Sequence, residues 1–203
     1  MTGPLPYSND LPEWPADQYR PRTPLAVVPV PAQGRRDLRG SRVIIGVPGV
    51  GWRGDLRADT PVVQGSRTFI PILSEQEWYR AEAEQTEVFA PLVPVERVWL
   101  ETVAVLPSDR ERELASLDAP APRFPVPAGE VPSITGRRLV QPAGPDQKAA
   151  ADRRDIRAVT EAYADARGGV SVRVAAELDW YRWAWSGKAP KTLEVDLAQL
   201  WVE

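Results

Sequence analysis

The carboxylates able to carry acid–base chemistry come in matched pairs, Glu77 with Asp179 and Glu101 with Glu203, each pair 102 residues apart. Glycoside chemistry needs two such groups facing one bond across a few ångströms. One carboxylate recurring once per half of a chain points instead to a structural role, with Arg80 and Arg182 as the expected partners. Gly49-Val50-Gly51-Trp52-Arg53-Gly54 matches the G-x-G-x-x-G string that lets a backbone approach a pyrophosphate. That chemistry requires a helix directly downstream. The residues from Asp55 to Gly65 are polar, contain Pro61 and lack a helical period, so a glycine-rich β-turn is expected. Arg53-Gly54-Asp55 is the tripeptide that integrins read, but its partner residues Arg153-Arg154-Asp155 do not keep it, and a turn entering a strand is expected there.

The chain has no histidine and no cysteine. Their absence removes Cys/His zinc sites, thiol nucleophiles, disulfides and the Ser-His-Asp triad. No enzymatic activity, cofactor or metal is expected. A net charge of −3 is too balanced to predict nucleic-acid binding. Apolar stretches are short and broken by Pro or Gly, so no membrane insertion is expected. Residues 1–31 lack the basic start and apolar run of a signal peptide.

A repeated unit positions these groups. Glu75-Gln76-Glu77-Trp78-Tyr79-Arg80 faces Glu177-Leu178-Asp179-Trp180-Tyr181-Arg182 in the second half. Val95-Glu96-Arg97-Val98-Trp99-Leu100-Glu101 faces Leu197-Ala198-Gln199-Leu200-Trp201-Val202-Glu203, and the two tryptophans of each copy are 21 residues apart. Asp55-Leu56-Arg57-Ala58 faces Asp155-Ile156-Arg157-Ala158, and Gly40-Ser41-Arg42-Val43-Ile44 resembles Gly136-Arg137-Arg138-Leu139-Val140. The repeat is settled before the fold because it decides the architecture.

Proline divides the chain. Of 22 prolines, Pro4, Pro6, Pro12, Pro15, Pro21, Pro24, Pro29 and Pro31 fall in residues 1–38, and Pro107, Pro120, Pro122, Pro125, Pro127 and Pro132 fall in 106–133. Proline lacks the backbone donor and favours extended conformation. The expected organisation is an extended arm over 1–38, a β unit over 39–105, a Pro-rich linker with a short helix over 106–133, and a second β unit over 134–203. The arm is expected to cross a neighbouring chain rather than to fold back.

Ser41 to Val47, Thr68 to Leu73, Val170 to Val174 and Leu193 to Leu197 read as strands, and Val98 to Glu101 and Leu200 to Glu203 as closing strands. Ser74-x-x-Glu77 is a capping box opening a helix that carries Trp78, and Gly187 and Pro190 stop its counterpart. Ser108-x-x-Glu111 caps a second short helix, Asp109 to Leu117. Residues 152–167 show a helical spacing at Ile156, Val159, Thr160 and Tyr163, yet the repeat favours a hairpin turning at Gly168-Gly169; both readings stay open. The fold class expected is mainly β: two tandem, duplicated small barrels or sheets of SH3-like kind, each with one short helix.

Trp78, Trp99, Trp180 and Trp201 hold equivalent places and are expected in the two cores. Trp183 and Trp185 face Ala81 and Ala83, so they exceed what a shared core needs and are candidates for covering the linker or meeting a partner. Tyr7, Trp14 and Tyr19 interleave with the arm's prolines, a pattern suited to wrapping along another surface.

The run Trp180-Tyr181-Arg182-Trp183-Ala184-Trp185-Ser186-Gly187-Lys188-Ala189-Pro190 and the ending Leu200-Trp201-Val202-Glu203 resemble small structural proteins of actinobacterial tailed phages, of the minor tail or tail-tip type. The resemblance implies a virion component assembled in the host cytoplasm, with other virion proteins and copies of itself as partners. Head decoration, a head–tail connector, or a peptide- or glycan-binding module using Trp183 and Trp185 are the alternatives.

Overall fold

The computed structural model describes residues 22–104, 119–144, 151–166 and 168–203. In the first half, β1 (Ala26–Pro31), β2 (Arg42–Val47), β3 (Gly51–Ala58), β4 (Val62–Gln64), β5 (Arg67–Ser74), β6 (Leu92–Pro94) and β7 (Val98–Ala104) form one antiparallel sheet, with helix α1 (Glu75–Glu84) between β5 and β6. In the second, β8 (Val126–Pro127), β9 (Arg138–Gln141), β10 (Arg153–Ala158), β11 (Tyr163–Ala164), β12 (Val170–Ala176), β13 (Leu193–Asp196) and β14 (Trp201–Val202) form another, with α2 (Glu177–Ser186) between β12 and β13. The fold is mainly β.

The two sheets share one strand order. It runs β1-β7-β2-β3-β5 with β4 and β6 on β5, and β8-β14-β9-β10-β12 with β11 and β13 on β12. Register agrees as well. Arg57 and Ala58 lie opposite Leu73 and Ile72, as Arg157 and Ala158 lie opposite Ala175 and Val174. A 3-10 turn precedes the closing strand in each half, at Val95–Arg97 and Leu197–Gln199. The described residues of 152–167 take the hairpin form: Arg153–Ala158 pairs with β9 and β12, and the turn at Gly168-Gly169 is tied by the Asp165 carboxylate, which accepts from the Gly169 N–H at 2.9 Å.

Each half has its own hydrophobic core. Ala32, Leu38, Val43, Leu56, Ala58, Ile70, Ile72 and Val98 cluster in the first, and Ala128, Ile134, Leu139, Ile156, Ala158, Val172, Val174 and Leu200 occupy the corresponding places in the second. Ser74 caps α1 as the sequence predicts, with its hydroxyl accepting from the Glu77 N–H and the Glu77 carboxylate accepting from the Ser74 N–H. Gly187 ends α2 at φ 70.

Two expectations are corrected here. Of the segment 1–38 read as an arm crossing a neighbouring chain, the described residues 22–38 contribute β1, and Ala26, Val27, Val28, Ala32 and Leu38 are buried in the same molecule. The prolines permit this because of their phase. Val27 exchanges backbone hydrogen bonds with Arg123 at 2.9 Å on the side away from β7, while Ala32 donates to Val98 on the β7 side. Pro29 and Pro31 share the outward phase of Val27, so their missing donors cost the β7 ladder nothing. The linker is likewise absorbed in part, since Val126–Pro127 pairs with β14 and Ala128 enters the second core.

The tryptophans are the second correction. Trp78 is buried, whereas Trp99, Trp180 and Trp201 are half-buried. Strand alternation puts Val98 and Leu200 inward and turns Trp99 and Trp201 to the other face. The helical tryptophans cover a glycine turn instead: a Cβ on Gly40 (φ +78) would stand 3.3 Å from Trp78, and one on Gly136 (φ +75) 3.5 Å from Trp180. The expected helix Asp109 to Leu117 lies outside the described residues.

Candidate functional site

Where the two halves meet, the sequence repeat becomes a cluster of charges. Arg42 and Arg138 project from β2 and β9, the first strands after the glycine turns, and Arg57 and Arg157 from β3 and β10 beside them. A register shift in each β2–β3 and β9–β10 pair, near Val43/Ile45 and Arg153/Ile156, brings Asp55 and Asp155 to the rim. Glu75 and Glu177 are the first residues of α1 and α2, where the helix dipole favours a negative charge. Both glutamates are buried, each 1% exposed.

Most contacts across the junction have a mirror; Arg157 to Asp55 at 3.9 Å is an exception. Arg42 Nη2 donates to Glu177 at 2.6 Å, and Arg138 Nη2 to Glu75 at 2.7 Å. Arg57 reaches Glu177 at 3.2 Å, and Arg157 reaches Glu75 at 3.0 Å. Arg42 meets Asp155 at 2.9 Å, and Arg138 meets Asp55 at 3.0 Å. Arg42 approaches Glu203 at 3.5 Å, and Arg138 approaches Glu101 at 3.6 Å. The Tyr79 hydroxyl donates to Glu177 at 3.0 Å, the Tyr181 hydroxyl to Glu75 at 2.9 Å, and the two rings stack. Arg57 and Arg157 each also anchor a glycine turn, donating to Gly40 and Gly136 carbonyls at 2.9 Å.

The electrostatics follow from burial and partners. Burial pushes the Glu177 carboxyl up, but the guanidiniums of Arg42, Arg138 and Arg157 outweigh it and hold Glu177 down at about 2. Burial, reinforced by the facing glutamates, pushes both the Tyr79 and Tyr181 phenols well above their ordinary range. Glu101 is pushed up by burial against the pull of Arg123 and Arg138. Both Glu177 oxygens and Glu75 Oε2 accept from arginines and tyrosines, whereas Glu75 Oε1 makes only ion-pair contact, 3.2 Å from Arg57 Nε, so the arrangement clamps charges in place.

Of the residues singled out from sequence, Glu101 and Glu203 converge on Arg138 at 3.6 and 3.7 Å, and the others are dispersed. Glu77 caps its own helix, Arg80 pairs with Glu84 at 3.1 Å, and Asp179 pairs with Arg182 at 3.4 Å. Glu101 and Glu203 lie at the edge of the junction, held by Arg123 at 2.6 Å and Arg154 at 2.8 Å. Gly49 and Val50 lie in the β2–β3 turn and Gly51 to Gly54 begin β3; Gly49 to Trp52 line a surface groove with Trp99 and Arg97, and Arg97 donates to the Gly46 carbonyl. Trp183 is 40% exposed and Trp185 is half-buried. Tyr7, Trp14 and Tyr19 lie outside the described residues.

Sequence reasoning passed over the four junction arginines and Glu75 with Glu177. The signal was present. Arg42 and Arg138, Arg57 and Arg157, and Glu75 and Glu177 all recur at matched places of the repeat, and a charge kept at the same place in both copies marks a partner that both copies share. Among the described residues no cluster of His, Cys, Asp or Glu is disposed to hold a metal ion, and no helix is long and apolar enough to cross a membrane. No family model, curated protein or solved structure matches the chain.

Proposed function

We propose that the chain is a non-catalytic assembly protein of a phage particle, placed at the tail or tail tip, built from two duplicated SH3-like units. The observation that carries this reading is the junction itself: its buried Glu75 and Glu177 are each held by arginines of both halves, which fits a part built to hold shape. In each half the last strand returns beside the first after a 3-10 turn, the connectivity expected of a small SH3-like barrel. Apolar side chains on the outside, among them Val63 at 70% and Phe89 at 94% exposure, supply surface for neighbours in an assembly.

Mass spectrometry of gradient-purified phage particles from the host carrying the gene tests the proposal. The chain is expected in particles at a fixed ratio to the other tail proteins. Its presence in the lysate but not in particles overturns the reading. Labelling with an antibody, viewed by electron microscopy, separates a tail position from head decoration or a connector.

A second reading, a peptide- or glycan-binding module, draws on the exposed Trp183 ring. Under that reading Trp183→Ala abolishes binding to a peptide or glycan array while leaving the fold intact.

A further inference from the structure

We infer that the face each half turns toward the other is self-complementary, so that its partner surface is a second copy of the same half as well as the opposite half. This inference rests on the junction geometry and not on the virion reading.

The reason is the reciprocity of the contacts. In an isologous interface residue i of one side meets j of the other, and j meets i. Across this junction the Arg42–Glu177 contact of 2.6 Å mirrors Arg138–Glu75 at 2.7 Å, and Arg42–Asp155 at 2.9 Å mirrors Arg138–Asp55 at 3.0 Å. Tyr79 and Tyr181, counterparts in the repeat, stack on each other. Every group in these mirrored contacts therefore already exists within one half. The first half carries Arg42, Asp55, Arg57, Glu75, Tyr79 and Glu101, and the second carries Arg138, Asp155, Arg157, Glu177, Tyr181 and Glu203. Two first halves brought together would set Arg42 against Glu75 and Asp55 of its twin, and Tyr79 against Tyr79.

The charges make this selective. A surface lacking the same alternation would strand buried guanidiniums and carboxylates without partners, which is strongly unfavourable. The contacts that do not obey the two-fold, Arg22 with Asp152 at 2.5 Å, Arg154 with the Leu25 carbonyl at 2.7 Å and Val27 with Arg123, bias pairing toward the two halves of one chain. Cutting the chain between the halves removes the advantage of covalent linkage and lets like meet like.

The test uses the full chain with a protease site inserted within residues 105–118. After cleavage, the protein is taken through one cycle of denaturation and renaturation at high concentration, and native mass spectrometry counts the pairs by mass. First–first and second–second pairs are expected beside first–second pairs. Only first–second pairs, separated halves, or halves that fail to refold overturn the inference. Asp55→Asn supplies the second arm, because the Asp55 side chain is 71% exposed and keeps its left-handed backbone (φ 56) comfortable as Asn. A first–second pair loses one set of Asp55–arginine contacts, to Arg138 at 3.0 Å and Arg157 at 3.9 Å, and a first–first pair loses two sets. If loss of one set weakens mixed pairing about twofold, first–first pairing falls about fourfold. Equal losses in both pairs overturn the inference.

Discussion

Tyr79 and Tyr181 stack with ring centroids 5.3 Å apart and planes 25° from parallel, and each gives its hydroxyl proton to the glutamate that opens the other's helix. The crossing is the point. Each ring is fixed by its own half's arginine, Arg57 to Tyr79 and Arg157 to Tyr181, both at 2.7 Å, yet satisfies a carboxylate of the opposite half. Two small cores that never merge are thereby joined through a polar hub.

The hub's glutamates are expected to matter more than any rim carboxylate. Glu177→Gln keeps the shape but leaves Arg42, Arg138 and Arg157 facing a neutral amide, and breaking a buried pair in this way costs about 3–5 kcal/mol. Asp155→Asn removes a partner whose side chain is 81% exposed, and solvent screening limits its cost to under about 1 kcal/mol. Urea unfolding of both variants compares them directly. A Glu177→Gln midpoint within error of the parent would show that the hub contributes no stability.

Stability should fall at both ends of the pH scale. Glu177 is held at about 2 in the folded protein against an ordinary 4.5, so its contribution is complete above 4.5 and is lost as pH drops from there toward 2. Glu101 acts in the opposite sense, because burial raises its pKa and protonation relieves it as the pH falls. The tyrosine phenols are raised, so their contribution is complete below the ordinary 10.0 and is lost as the pH rises above it. Thermal melts across pH 2–11 check this, with Tyr79→Phe/Tyr181→Phe expected to flatten the alkaline limb. An unchanged alkaline limb in that double variant would assign it to other groups.

Most elements were legible in the sequence because their causes are local. Ser74 and Glu77 announce a helix start, Gly187 a stop, and the alternation of Val170, Val172 and Val174 a strand with one apolar face. The repeat carried the hairpin reading of 152–167 over its misleading helical spacing. Two things were not local. The phase of Pro29 and Pro31 depends on which side of β1 meets β7, and proline count alone cannot reveal it. The direction of Trp99 and Trp201 depends on which face of the closing strand is inward; size suggested the tryptophans, and alternation assigned Val98 and Leu200. The hub was written in the repeat as matched arginines and glutamates, but a single half gives no sign of what they face.

Truncation of the aromatic and aliphatic residues should therefore rank by observed burial. Leu200→Ala empties a site 1% exposed and is expected to cost about 2–5 kcal/mol. Trp78→Ala uncovers the Gly40 turn and is expected to cost about 3–5 kcal/mol. Trp201→Ala, on the outer face of the same strand as Val202, should cost less than Leu200→Ala despite its larger ring. Reversal of that order in denaturant unfolding would place Trp201 in the core after all.

The strand formed by Ala26–Pro31 makes a sharper claim about proline. Residues of one phase turn their N–H toward β7, and residues of the other turn it outward, as Val27 does toward Arg123. Val28 is of the inward phase and is buried, lying opposite Thr102. Val28→Pro removes a ladder donor and is expected to cost about 3 kcal/mol or more. Pro29→Val restores a donor only on the outward side and should shift stability by less than about 1 kcal/mol. Deleting residues 2–38 removes β1 together with Ala32 and Leu38 from the first core, so the thermal transition of the isolated chain should drop steeply or vanish. A truncated protein that melts like the parent would return this segment to the role of an arm that docks elsewhere, and equal costs for Val28→Pro and Pro29→Val would reject the phase argument.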